Sequence, residues 1–116
     1  MAILLIGLNY KSAPVEVREK VSLSRPQIEK LSEKIRQVQS FSGCILSTCN
    51  RTEFYVNADS PFAAQENLIN LMCEYSGLAP RTLAPYLYIK FNKNAAEHLF
   101  TVAAGMDSMI LGESQI

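Results

Sequence analysis

The run Ile3-Leu4-Leu5-Ile6-Gly7-Leu8-Asn9 sets the strongest limit on the fold. It is apolar without alternation, and it is far shorter than the ~18 residues a membrane span needs. A run of this kind reads as a central strand of a sheet. Lys11 to Arg18 follows, is broken by Pro14, and reads as a loop. Ser24-Arg25-Pro26-Gln27 has the form of a capping box, with Ser24 as N-cap and Gln27 reaching back. Ile28, Leu31, Ile35 and Val38 then recur at helical spacing, so the first helix is expected to end near Gln39-Ser40.

Two short strands are expected next, Cys44 to Thr48 and Thr52 to Asn57. Ser60-Pro61 opens a second helix with proline at its first position, and Leu68, Leu71, Met72 and Tyr75 supply its buried stripe. Gly77 suits a left-handed stop. Pro80 and Pro85 mark a loop, and Tyr86 to Ile89 reads as a fourth strand. Asn94-Ala95-Ala96-Glu97 reads as a second capping box, opening a helix that closes at Gly105, after which Ser108 is placed to cap a further turn. The order β-α-β-β-α-β then α predicts an α+β, ferredoxin-like fold. Its expected form is a four-stranded antiparallel sheet with two packed helices, plus a C-terminal helix.

At 116 residues with 48% apolar content, the chain has material for one core. Eleven basic residues balance eleven acidic ones. A neutral chain is not a polyanion binder that works by bulk electrostatics, although specific contacts to a nucleic acid are open to it. The three cysteines, Cys44, Cys49 and Cys73, are odd in number and lack C-x-x-C spacing. They are no disulfide framework and fit a reducing, cytoplasmic setting. The first residues lack the basic start of a signal peptide.

Chemistry concentrates at Ser47-Thr48-Cys49-Asn50-Arg51-Thr52-Glu53, between two apolar stretches. Cys49 falls at the tip of a strand-turn-strand unit. A thiolate attacks carbonyls, and a neighbouring cation favours it. Arg51 supplies that charge or clamps a carboxylate with its planar fork, and it also has a bland reading as a turn residue paired with Glu53. Asn50 adds a donor for a substrate oxygen. Cys44 and Cys73 read as small buried hydrophobes. Asn9 and Arg18 are placed to shape a pocket, and Asn9 equally to end a strand.

Three blocks together resemble the N-terminal catalytic domain of glutamyl-tRNA reductases. They are Gly7-Leu8-Asn9-Tyr10-Lys11-Ser12-Ala13-Pro14-Val15-Glu16 with Arg18-Glu19, the Cys49 block, and His98-Leu99-Phe100 followed by Ala103 to Glu113 with Gln115-Ile116. The resemblance implies an oxidoreductase that reduces the glutamyl ester on tRNA(Glu) with NADPH to glutamate-1-semialdehyde, the first dedicated step of tetrapyrrole synthesis. It implies Cys49 as nucleophile and His98 as a second catalytic residue. It implies Thr48, Asn50, Arg51, Ser108, Glu113, Ser114 and Gln115 as substrate contacts. Residues 1–90 are then the catalytic core and 91–116 its helical extension. The NADPH-binding and dimerisation domains of the family are expected beyond this chain, which contains no G-x-G-x-x-G. The implied partners are glutamyl-tRNA(Glu), a second copy through the dimerisation domain, and glutamate-1-semialdehyde aminotransferase, with no membrane. Two other readings compete: a noncatalytic ferredoxin-like interaction domain, and a zinc module drawing on Cys44, Cys49, Cys73 and His98.

Overall fold

A computed structural model describes residues 2–38 and 42–105. Strands β1 (Ala2–Asn9), β2 (Ser42–Ser47), β3 (Arg51–Ala58) and β4 (Tyr88–Phe91) form one antiparallel sheet in the order β2-β3-β1-β4. Five α-helices complete the described chain: α1 (Val15–Val21), α2 (Arg25–Val38), α3 (Pro61–Ser76), α4 (Pro80–Leu83) and α5 (Asn92–Ala103).

The apolar run is β1, a central strand, and residues 4 to 9 are all buried. Both faces of β1 are covered, which is why its sequence does not alternate. Leu4, Ile6 and Leu8 join Phe54 and Val56 on one face, under Val17 and Val21 of α1, Leu31 of α2, and Leu68 and Met72 of α3. Leu5 and Tyr55 point to the other face and pack with Ala95 of α5. Register carries this alternation across the sheet, since Leu5 opposes Tyr55, Gly7 opposes Glu53, and Asn9 opposes Arg51. One face is therefore a large apolar core. The other becomes polar toward the Asn9 end of β1.

Several boundaries match their sequence signals. Ser24 and Gln27 bond reciprocally, Ser24 N to Gln27 Oε1 at 2.7 Å and Gln27 N to Ser24 Oγ at 3.3 Å. Pro61 opens α3, and Gly77 closes it with φ of 77°.

Other expectations are corrected. Lys11 to Arg18 is not all loop, because Pro14 stands at the N-cap of α1 and so starts a helix. Ala13, Val17 and Val21, four apart, bury one face of that segment. The Pro80–Pro85 stretch is α4 followed by a 3-10 turn at Ala84–Tyr86, which moves the fourth strand two residues later than expected. Helix α5 begins at Asn92, not at an Asn94 capping box. The Asn92 side chain accepts from Ile3 N at 3.1 Å and ties the helix start to β1. The expected end of α2 at Gln39-Ser40 and the further turn at Ser108 lie outside the described residues.

Candidate active site

The β2–β3 connection is three residues long, Thr48-Cys49-Asn50. Thr48 N donates to Arg51 O at 2.8 Å, and Asn50 N donates to Thr48 Oγ1 at 3.1 Å. These bonds bury Thr48 and Asn50 while leaving Cys49 between them exposed with a free thiol. Arg18 of α1 reaches the same turn, its Nη1 donating to Cys49 O at 3.4 Å. Ser47 Oγ accepts from Leu23 N at 2.9 Å and lies 3.1 Å from Thr52 Oγ1, which anchors the turn's base to the α1–α2 link.

Arg51 is not on the turn. It is the first residue of β3 and is 1% exposed. Because residues two apart on a strand share a face, Arg51, Glu53 and Tyr55 line up beneath α5. Glu53 is the centre of that row. Its Oε2 accepts from Tyr88 OH, lies 2.6 Å from His98 Nε2, and accepts from Arg51 Nη1 at 3.5 Å; its Oε1 accepts from Tyr55 OH at 2.8 Å. Burial opposes ionisation of Glu53, but the bonds from His98, Tyr88 and Tyr55 outweigh it and hold the carboxyl below its usual range. The same contacts act in reverse on the phenols. Burial first, then the Glu53 charge, pushes Tyr55 and Tyr88 above the ordinary tyrosine range.

Gly7 makes this packing possible. A Cβ on it would stand 2.6 Å from Thr52 O and 2.9 Å from both Cα and Cγ of Glu53. Gly7→Ala is therefore expected to push β1 from β3 or turn Glu53 out of its network. The expected cost is about 1–3 kcal/mol, measured as a shift of the urea midpoint.

His98 also lines an open cleft of about 350 Å³ with Asn9, Lys11, Ser12, Tyr88, Lys90 and Thr101. Asn9 ends β1, as its bland reading expects: its Oδ1 accepts from Lys11 N at 2.9 Å and Ser12 N at 3.2 Å. Arg51 and His98, 47 positions apart in sequence, thus meet at one carboxylate, whereas Cys49 stands on the turn before β3 and is not among the residues lining the His98 cleft. Ser108, Glu113, Ser114 and Gln115 lie outside the described residues.

Glu53, Tyr55 and Tyr88 carry the network, and the sequence alone does not mark them as site residues. The available signal was the two-residue spacing of Arg51 and Glu53; the link to His98 had none. Cys44 is corrected as well: it is exposed on the edge strand β2, not buried, although its thiol is pushed above its usual range by partial burial and then by Glu53. Among the described residues, no three His, Cys, Asp or Glu side chains gather as metal ligands, so Cys44, Cys49, Cys73 and His98 do not form the zinc module. Among the described residues, no helix is long and apolar enough to cross a membrane.

The family model for the glutamyl-tRNAGlu reductase N-terminal domain matches residues 6–116. The chain is 46% identical over its whole length to glutamyl-tRNA reductases from Shouchella clausii and Halalkalibacterium halodurans, and spans 26% of each. It superposes on glutamyl-tRNA reductase from Methanopyrus kandleri with a TM-score of 0.71 at 26% identity, covering 96% of this chain and 24% of that one. The chain therefore corresponds to about a quarter of the length of these relatives.

Proposed function

This chain belongs to the glutamyl-tRNAGlu reductase N-terminal domain family, and on that premise we propose that it performs the acylation half of that enzyme's reaction. The Cys49 thiolate attacks the glutamyl ester carbonyl. The carbon–oxygen bond to the tRNA ribose breaks, the ribose oxygen leaves with a proton, and a thioester on Cys49 remains. The ester is already activated, so a thiol suffices. A thioester in turn accepts hydride more readily than an oxygen ester.

The observation that carries this reading is the exposed Cys49 thiol on a turn whose neighbours are buried and bonded, within a family match over the whole motif-bearing length. Thr48 and Asn50 hold the turn and flank the acyl group. Arg51 supplies positive charge for a glutamate carboxylate, and its pairing with Glu53 sets its place. His98 serves proton transfer beside the ester. Ser108, Glu113, Ser114 and Gln115 form the second substrate-contacting segment in this reading. Because net charge is zero, tRNA is held by specific contacts, not by bulk attraction.

The described residues do not fit NADPH. The five glycines stand singly at 7, 43, 77, 105 and 112, so no glycine-rich strand-to-helix turn exists to cradle a pyrophosphate. In this reading the NADPH site belongs to a part of the full-length enzyme outside this chain, where the cofactor would supply the reducing equivalents for glutamate-1-semialdehyde, the tetrapyrrole precursor; this chain's own residues carry only the acylation. Dimerisation and hand-over to glutamate-1-semialdehyde aminotransferase are likewise assigned to the whole cytoplasmic enzyme. We also read the sheet as ferredoxin-like, since β2-β3-β1-β4 interleaves two β-α-β units with β1 and β3 at the centre.

The test is incubation of the chain with glutamyl-tRNA and NADPH. A glutamyl adduct on Cys49, found by mass spectrometry, without aldehyde is the expected result. Aldehyde from this chain alone would overturn the division of labour, and an adduct on Cys44 or Cys73 in place of Cys49 would overturn the site.

A further inference from the structure

We propose that Glu53 is a positioning residue that fixes the tautomer of His98, placing the ring proton on Nε2, so that any proton the neutral ring accepts enters at Nδ1. The assignment of that proton traffic to acyl transfer rests on the function proposed above; the tautomer itself does not.

The argument begins with an inaccessible carboxylate. The Glu53 side chain is 0% exposed, and that of His98 is 13% exposed, so bulk water does not arbitrate their contact. Four groups converge on Glu53: His98 Nε2, the phenols of Tyr55 and Tyr88, and the Arg51 guanidinium. A guanidinium only donates, and two phenols beside a carboxylate, Tyr55 buried and Tyr88 half-buried, donate to it. With these three donors in place the carboxyl is held ionised and has no hydrogen of its own to give. The 2.6 Å contact to His98 Nε2 is then a hydrogen bond only if Nε2 donates. A protonated Glu53 donating from Oε2 to Nε2 would give the opposite tautomer, but it would take from Tyr88 and Arg51 the ionised oxygen they share and from the buried guanidinium its counter-charge.

Ring orientation is held from a second side. Tyr88 lies against the imidazole with centroids 5.2 Å apart and planes tilted by 47°. The same tyrosine bonds Glu53, so one side chain fixes both the ring plane and its acceptor. A histidine locked in this way has a defined working nitrogen. A base accepting the Cys49 proton, or an acid returning one to the ribose oxygen, would act through Nδ1.

The chain has one histidine, so its imidazole signals are unambiguous. The experiment is long-range proton–nitrogen NMR on the ¹⁵N-labelled chain, with Glu53→Gln and Tyr88→Phe beside it. At a pH where the ring is neutral, the expected spectrum has one tautomer, protonated at Nε2, with a strongly deshielded Hε2. That proton should exchange with water about a hundredfold or more slowly than in Glu53→Gln, where the tautomers average. Tyr88→Phe, which keeps the carboxylate, should retain the Nε2–H form. An Nδ1–H ring, a rapidly averaged wild-type ring, or a Glu53→Gln spectrum identical to wild type would each overturn the proposal. If Glu53→Gln does not fold, the wild-type tautomer and Tyr88→Phe still decide it. No tRNA or NADPH is needed, so failure here is distinguishable from failure of the acyl-transfer reading.

Discussion

Full-length enzyme carrying Cys49→Ser should form glutamate-1-semialdehyde at least about a thousandfold more slowly than wild type. The reasons are chemical. A serine hydroxyl is much harder to ionise than a thiol, so attack on the ester slows. Any ester that did form on serine would accept hydride poorly, so the second step slows as well. The turn itself should survive, because its bonds come from Thr48, Asn50 and Arg51 backbone groups and Thr48 Oγ1, not from the Cys49 sulfur. Urea stability of the variant should accordingly match wild type. Cys44→Ser and Cys73→Ser provide the contrast. Cys44 is exposed on an edge strand and Cys73 is half-buried on α3, and both substitutions should keep most of the activity. The measurement is single-turnover aldehyde formation from glutamyl-tRNA. Cys49→Ser activity within about tenfold of wild type would end the acyl-acceptor role.

Local signals in the sequence reached the strands and the long helices because each rests on adjacent residues. The unbroken apolar run placed β1 in the sheet centre, and the Ser24–Gln27 pair placed the start of α2. Errors arose where one residue type serves two ends of a helix. Pro14 looks like a breaker when read forward from Lys11, but it starts α1 once Val17 and Val21 have a core to enter. Asn94 with Glu97 mimics a cap, yet tertiary contact between Asn92 and Ile3 fixes the start two residues earlier. Cys44 reads as buried from its apolar neighbours because edge position depends on strand order, which no local pattern carries. At the site, Cys49, Arg51 and His98 were each legible as chemistry-bearing residues. The carboxylate that joins Arg51 to His98 was not, because that meeting depends on register across β1 and on the docking of α5. Gly7 shows the same limit. Its sequence context says strand, and only the opposed β3 backbone at Thr52 and Glu53, with the Glu53 side chain, explains the missing Cβ.

Glu53→Ala should destabilise the chain by about 3–5 kcal/mol, the largest stability effect expected of a single substitution here. The side chain is wholly buried and serves as acceptor for Tyr55, Tyr88, Arg51 and His98. Truncation leaves a buried guanidinium without this counter-charge, and the buried Tyr55 and half-buried Tyr88 phenols without this acceptor. Arg51→Ala should also be costly, and the double variant should lose less than the sum of the two, because the second truncation removes the charge that the first left exposed to a low dielectric. The effect should depend on pH with a definite sign. Folding holds the Glu53 carboxyl below its usual range, whereas the unfolded chain ionises it near about 4.3. Its contribution is therefore fully present above that range and is lost as pH falls through the lower folded value. Urea titrations of wild type and Glu53→Gln from neutral pH downward read this directly. The stability gap between them should narrow as pH falls through the carboxylate range. A gap that stays constant into acid would mean that Glu53 is not held ionised, and the network would have to be redrawn around a neutral carboxyl that donates to His98.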